Sequence, residues 1–205
     1  LVEEGFLTLG YQSSSYLTNR VPELGFVDLP FLFPDNESAR AAIDGDLGNY
    51  LSRKTEDRIN YKIFGYFENG FRHISNKLRP IHSPKDMTDM KIRVLPSEVQ
   101  AETFRLLGAD PKILDLTEAI EGVTNGTLDA QENPFANTVT YGVHKFHRFH
   151  TISNHFYISR SIFANRTAYY TWPEEIKQFV AKTVIEAIGI QREQAEQEAI
   201  ECRKA

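Results

Sequence analysis

An α/β fold is what this sequence predicts, and three observations predict it. Between Lys91 and Pro134, apolar stretches of strand length alternate with amphipathic stretches of helix length. The connections between them are short and carry helix-capping residues. The 205 residues are 41% hydrophobic and 25% charged, an ordinary globular balance for one large or two small domains.

Residues 6–11 read as the first strand, and the polar loop Gln12 to Ser15 follows it. Loops after strands carry ligand contacts in α/β proteins, although three serines are more commonly a flexible loop or a helix cap. Val21-Pro22-Glu23-Leu24 then leads into residues 26–33, a nearly continuous apolar run expected to be core or hinge-side lining rather than surface. Residues 36–44 predict a helix capped by Asn36 and stopped by Gly45. Residues 59–67 form an aromatic-rich strand that runs into the polar stretch Glu68 to Asn76, with Arg72 inside it.

Lys91-Ile92-Arg93-Val94 is the next strand, with Ile92 and Val94 on one face and Lys91 and Arg93 on the other. Asp86 and Asp89 sit in the turn before it, and Pro96-Ser97-Glu98 opens a helix after it. That helix reaches about Leu107 and is closed by Gly108. Residues 112–114 are a short strand, and Asp115 with Glu118 forms a capping box for a helix running to Asn125-Gly126. Residues 127–130 are a further strand delivering Gln131-Glu132-Asn133 just before Pro134 restarts a helix. Residues 152–164 are rich in strand formers. Thr171-Trp172-Pro173-Glu174 has the pattern of a helix start, and Ile176, Phe179, Val180, Val184, Ala187 and Ile188 make one apolar stripe along the helix that follows. The pattern persists to about Lys204, which is ~45 Å at 1.5 Å per residue, with Gly189 as a place to kink.

Several function classes lack support. A formal charge of -5 argues against nucleic acid and anionic membrane surfaces as partners. Cys202 is the single cysteine, so neither an intrachain disulfide nor a thiolate metal cage is available. No apolar run has the length of a membrane span. His144, His147 and His150 are spaced three and three, which invites a metal, but no HExxH arrangement accompanies them and an amphipathic helix end is the reading preferred. Asp129 and Glu132 offer an acid/base pair with no identifiable nucleophile, and the nucleophile elbow, phosphate loop and dinucleotide fingerprint are missing.

What remains is a set of donors at strand ends: Ser13, Ser14, Arg72, Arg93 and Asn133. A guanidinium at the carboxyl end of a strand, beside a helix start, suits two-point binding of a carboxylate. Taken alone, Arg93 reads rather as a solvated side chain on a half-buried strand, and Arg72 at least as readily as a surface arginine in a turn. Together, two permanent cations and several neutral donors suit an anion with several oxygens.

These residues fall in a series of segments that resembles the solute-binding proteins of TRAP (tripartite ATP-independent periplasmic) transporters, which deliver organic acids to a membrane permease. The segments are Val21-Pro22-Glu23-Leu24 with Asp28-Leu29-Pro30-Phe31, then Asn69-Gly70-Phe71-Arg72 with Ser75-Asn76. Lys91-Ile92-Arg93-Val94, Leu107-Gly108-Ala109, the run from Gly126 to Pro134, and Asn154-His155 follow in the same order. Ala130 stands where the family usually has glycine before the Gln-Glu-Asn-Pro segment.

The resemblance implies a two-lobe periplasmic-binding-protein-like fold that closes on its ligand, with a long helix spanning both lobes. Residues 1–70 and 159–199 would form lobe I, residues 71–158 lobe II, and residues 200–205 the end of the long helix. It also implies that Arg93 holds the ligand carboxylate, that Arg72 and Asn133 orient it, that Ser13 or Ser14 and Tyr16 reach it, and that Leu116 forms an apolar wall. The implied protein is no enzyme and carries no metal or cofactor. It is a periplasmic monomer whose partners are a small organic acid and TRAP permease subunits, with no nucleic acid among them. The chain opens at Leu1 without a methionine and reads as a piece lacking the family's first strand–helix unit and closing helices. Two other readings stand beside this one: a carboxylate-sensing domain of the same fold, and a metal-dependent enzyme acting on a carboxylate through the histidines.

Overall fold

The computed structural model, which describes residues 1–204, distributes the α/β pattern over two sheets. Strands β1 (Leu9–Ser13), β2 (Tyr61–Phe71) and β8 (Tyr157–Asn165) form an antiparallel sheet with β8 in the middle. The second sheet contains β3 (His73–Asn76), β4 (Lys91–Val94), β5 (Asp110–Ile113), β6 (Ala130–Asn133) and β7 (Phe149–Thr151), in the order β5-β4-β6-β3-β7. Here β4 is parallel to both neighbours and β3 antiparallel to both of its own. Parallel strands need crossovers. Helices α3 (Glu98–Leu106) and α4 (Leu116–Thr124) supply them on either side of β5.

Each sheet has its own core, so the protein has two lobes. Helices α1 (Asn36–Asp44) and α2 (Asp46–Arg58) belong with the first, where Leu24, Ile43, Leu51, Ile63 and Phe163 pack together. Ile92, Val94, Phe104, Ala130, Phe156 and Ile158 form the second core. The β2–β8 ribbon runs from one core to the other: Ile63 and Phe163 lie in the first and Ile158 in the second. A single residue, Arg72, separates β2 from β3. Helix α5 (Phe135–Thr140) follows β6, and α6 (Arg166–Thr171) follows β8. The final helix α7 (Glu174–Cys202) has 29 residues, packs along β2 and reaches α5, and so touches both lobes.

Local sequence signals hold where the bonds they need are local. Asp115 and Glu118 form the capping box of α4, and Gly108 ends α3 with φ of 88°. Ser97 and Gly45 bound their helices as expected, but the N-cap of α1 is Asp35, whose side chain accepts from the Ser38 N–H, rather than Asn36.

Other expectations are corrected. The first strand begins at Leu9 rather than residue 6, because pairing with Ala164 on β8 begins there, while Phe6 and Leu7 are exposed. The run 26–33 is only partly core. A 3-10 turn over Pro22–Asp28 buries Leu24 and Val27, whereas Phe26, Leu29, Phe31 and Leu32 face solvent, Phe31 at 69%. The Phe31 N–H donates to the His155 carbonyl at a φ of 57°, a left-handed backbone that turns the chain there. Helix α2 had no counterpart in the pattern, since its sequence is polar and buries only Gly48, Leu51 and Thr55. The strand expected at residues 127–130 starts at Ala130, so Gln131, Glu132 and Asn133 are themselves strand residues.

The histidine segment is no helix end: Val143–Lys145 is a 3-10 turn and His150 lies on β7. His147 is buried against the Ser75 hydroxyl, 2.9 Å from its Nδ1. Among the described residues no group of three or more His, Cys, Asp or Glu side chains is placed to hold a metal. No helix among the described residues is long and apolar enough to cross a membrane.

At the long helix, Thr171 ends α6 by donating to the Ala168 carbonyl, so it does not cap α7, which starts after Pro173. Gly189 introduces no break. Of the apolar stripe only Val184 is buried, and Phe179 is 66% exposed. Polar clamps hold α7 instead. The Gln191 amide accepts from the Glu68 N–H at 2.8 Å and donates to its carbonyl at 2.9 Å, while Arg192 grips Asp44 at 2.6 and 2.8 Å.

Candidate functional site

Arg93 is the third residue of β4, a strand hydrogen-bonded on both sides, with Lys112 opposite on β5 and Gln131 opposite on β6. That fixes its backbone and delivers the side chain to the space between the lobes. Arg93 as a whole is 1% exposed, so its guanidinium is buried. Its Nε donates to the Leu114 carbonyl at 2.9 Å and its Nη2 to the Tyr16 hydroxyl at 3.3 Å. Among the described residues it has no carboxylate partner. Burial pulls its pKa below the ordinary arginine value, with the more distant charge of Glu132 working against that pull.

Arg72 is buried as deeply but is already neutralised. Its Nε and Nη2 donate to the two carboxylate oxygens of Glu132, the latter at 2.8 Å, and Nη2 also donates to the Glu132 carbonyl at 2.6 Å. Burial pushes the Glu132 carboxyl up, but the charge of Arg72 and the nearby His155 outweigh it and hold the pKa at about 2. Of the nitrogens of Arg72, only Nη1 lacks an acceptor among the described residues. The pairing separates two arginines that the sequence presented as equivalent cations.

Asn133 ends β6 opposite His73, and its Oδ1 accepts from Asn137 Nδ2 on α5 at 3.1 Å. Ser13 ends β1, and Tyr16 lies on the 3-10 turn Ser14–Leu17 that follows. Leu116 opens α4 behind its Asp115 cap. A cleft of about 140 Å³ is lined by Arg93, Arg72, Asn133, Ser13, Tyr16 and Leu116. Ser14 lies outside it, its hydroxyl 2.8 Å from that of Ser161. Successive residues leaving a strand point to opposite faces, which is why two adjacent serines part company.

Asn69, Leu95, Asn137, Tyr141 and Arg160 also line the cleft, and the sequence did not single them out. Arg160 left a trace: it is the one charge in the otherwise apolar and hydroxyl-bearing run Tyr157 to Ala164. Burial lowers its pKa, and its Nη2 donates to Asn69 Oδ1 at 2.5 Å. Larger hollows exist, one of about 360 Å³ beside α7 and one of about 590 Å³ between α2 and α7. The small cleft is where buried cations converge.

Behind the cleft, a polar cluster joins the lobes. Asp28 Oδ1 accepts from the Ser15 hydroxyl at 2.7 Å and from Gln100 Nε2 at 3.0 Å, with Gln100 on α3. Burial raises the Asp28 pKa against the pull of Ser97 and these two donors. Thr18 adds a bond to the Pro96 carbonyl at 3.1 Å.

Comparison with known proteins agrees with this arrangement. The family described as bacterial extracellular solute-binding protein, family 7, matches residues 1–205. The 2,3-diketo-L-gulonate-binding periplasmic protein YiaO of Escherichia coli (strain K12) is 27% identical over 191 residues, which are 93% of this chain and 58% of that protein. The sugar acid binding protein DctPAm of Advenella mimigardefordensis, solved with galactonate, superposes with a TM-score of 0.95 at 27% identity, covering 99% of this chain and 65% of that one. A TRAP periplasmic solute binding protein of Sulfurospirillum deleyianum, solved with succinate, gives a TM-score of 0.92 at 28% identity, covering 99% and 66%. The chain thus spans little more than half the length of the curated relatives it matches. The whole-length family match and the shared two-lobe fold lead to one conclusion: this chain belongs to the bacterial extracellular solute-binding proteins of family 7.

Proposed function

We propose that this chain is the ligand-binding part of a TRAP transporter subunit that captures a small organic carboxylate between its lobes and hands it to a membrane permease. The observation that carries this reading is Arg93, a buried guanidinium with no acidic partner among the described residues. Leaving a charge buried and unpaired is costly, so a site of this kind is built for an incoming anion. Its Nη atoms suit the two oxygens of a carboxylate. Asn133 and the free nitrogen of Arg72 orient the acid, Ser13 and Tyr16 contact it from the other lobe, and Leu116 closes on its carbon atoms. Relatives solved with galactonate and succinate support a carboxylate ligand.

In this reading residues 1–70 and 159–199 move as lobe I and residues 71–158 as lobe II, with residues 200–205 ending the long helix. The protein works in the periplasm. Calorimetric titration of an acid that binds the wild type tests the anchor: Arg93→Ala should weaken binding by ~2–5 kcal/mol, since it leaves the ligand charge unpaired in a closed cleft. Arg93→Lys keeps the charge but loses the planar fork and should recover only part of that affinity. Unchanged affinity in Arg93→Ala refutes the proposal.

A further inference from the structure

Once Arg72 and Glu132 cancel, two cations line the cleft without an acidic partner among the described residues: Arg93 and Arg160. They reach it from different lobes. Arg93 comes from β4, and Arg160 from the middle of β8, directly opposite Ser13 on β1 and Phe67 on β2. Residues opposite one another in a ladder share a face, so Ser13 and Arg160 face the cleft together.

The backbone is shaped to hold Arg160 there. The ladder pairs Glu68 with Ser159 and Gly70 with Ile158, leaving Asn69 as the extra residue of a β-bulge. Gly70 allows the bulge by taking a φ of 93°, a conformation that side-chain-bearing residues avoid. The bulge turns Asn69 into the cleft, where its Oδ1 accepts from Arg160 at 2.5 Å and from Asn137 Nδ2 at 3.4 Å. Asn137 in turn donates to Asn133 at 3.1 Å. Among the described residues only one nitrogen of Arg160 is used, Asn69 carries no charge to balance it, and the charge of Glu198 acts on it only from beyond ion-pair distance.

We propose that Arg160, positioned by Asn69 and faced by Ser13, forms a second anion subsite that takes the far anionic group of a ligand whose first carboxylate lies on Arg93. This rests on the reading of the cleft as a carboxylate site. A monoanion balances one guanidinium and leaves the other uncompensated, whereas a ligand with an acid at each end balances both. Asn69, Asn137 and Arg160 line both this cleft of about 140 Å³ and the hollow of about 360 Å³ beside α7, so the space at Arg160 has room for the far end of a ligand. Arg160 is therefore the residue that separates diacids from their monoacid counterparts.

The test is calorimetric titration of the full chain with two matched pairs, succinate with butyrate and galactarate with galactonate. The wild type should bind the diacid of at least one pair about tenfold or more tightly than its monoacid. Arg160→Gln should abolish that preference by weakening the diacid alone. Asn69→Ala, which frees Arg160 from its holder, should reduce the preference in the same direction and serves as the test if Arg160→Gln does not fold. Monoacids binding as tightly as diacids in both pairs overturns the subsite and leaves the carboxylate site standing. Equal weakening of both members by Arg160→Gln makes its role structural and also overturns the proposal. If none of the four acids binds the wild type, the carboxylate reading falls, and the subsite with it.

Discussion

Arg93 and Arg72 line the same cleft and are equally buried, yet they do different work. Arg72 is held at two points by Glu132, so the pair is part of the scaffold and its charge is spent. Removing one partner of a buried pair strands the other. Glu132→Gln should therefore cost ~3–5 kcal/mol of folding stability, read from urea unfolding. The same carboxyl sets an acid limit. Its pKa falls from ~4.3 in the unfolded chain to about 2 in the folded one. The stability it contributes is thus complete above the unfolded value and is lost as pH falls through the folded one. His73 and His147 act in an earlier window. Burial takes both to about 4, against ~6.5 unfolded, so their contribution is complete above pH ~6.5 and fades towards pH 4. The thermal midpoint should already fall between pH 7 and pH 4.5, and less steeply in His147→Gln. A flat profile across that range contradicts the assignment.

Whether an element was legible in the sequence depended on how far away its partners lie. The box of Asp115 and Glu118 and the stop at Gly108 involve bonds within a few residues, and both were readable. The cap expected at Thr171 failed because that hydroxyl is used to close α6. Strand β1 was misplaced because its start depends on Ala164. Helix α2 was invisible because its buried face is Gly48, Leu51 and Thr55, too little apolar pattern to register. The strand carrying Arg93 was evident, and so was the polar end of β6, but Arg160 acquires its role only through a ladder with Ser13 and a bulge at Asn69. That bulge can be tested at Gly70, where a Cβ meets nothing closer than 3.8 Å but the φ of 93° is strained for alanine. Gly70→Ala should cost ~1–3 kcal/mol of stability, measured by urea unfolding. For the long helix, Gln191→Ala removes both bonds to the Glu68 backbone. Hydrogen exchange at the Glu68 amide should accelerate markedly, while exchange at α3 stays unchanged.

Across the whole molecule, two cores are joined by the β2–β8 ribbon, by the α7 helix and by the Asp28 cluster at the back of the cleft. An acid seated on Arg93 would touch Tyr16 and Ser13 from one lobe and Leu116 and Asn133 from the other, tying both cores to a single ligand. Because it binds only the folded form, it should raise the thermal midpoint of both lobes together, by ~2.7 kcal/mol of apparent stability at a hundredfold excess over Kd. The most direct measurement is a crystal structure of the protein grown with an acid selected by that thermal shift. The expected result is one ligand carboxylate on the Arg93 guanidinium, hydrogen-bonded at two points, between the two sheets. An acid bound elsewhere, with Arg93 still engaged only by Leu114 and Tyr16, contradicts it.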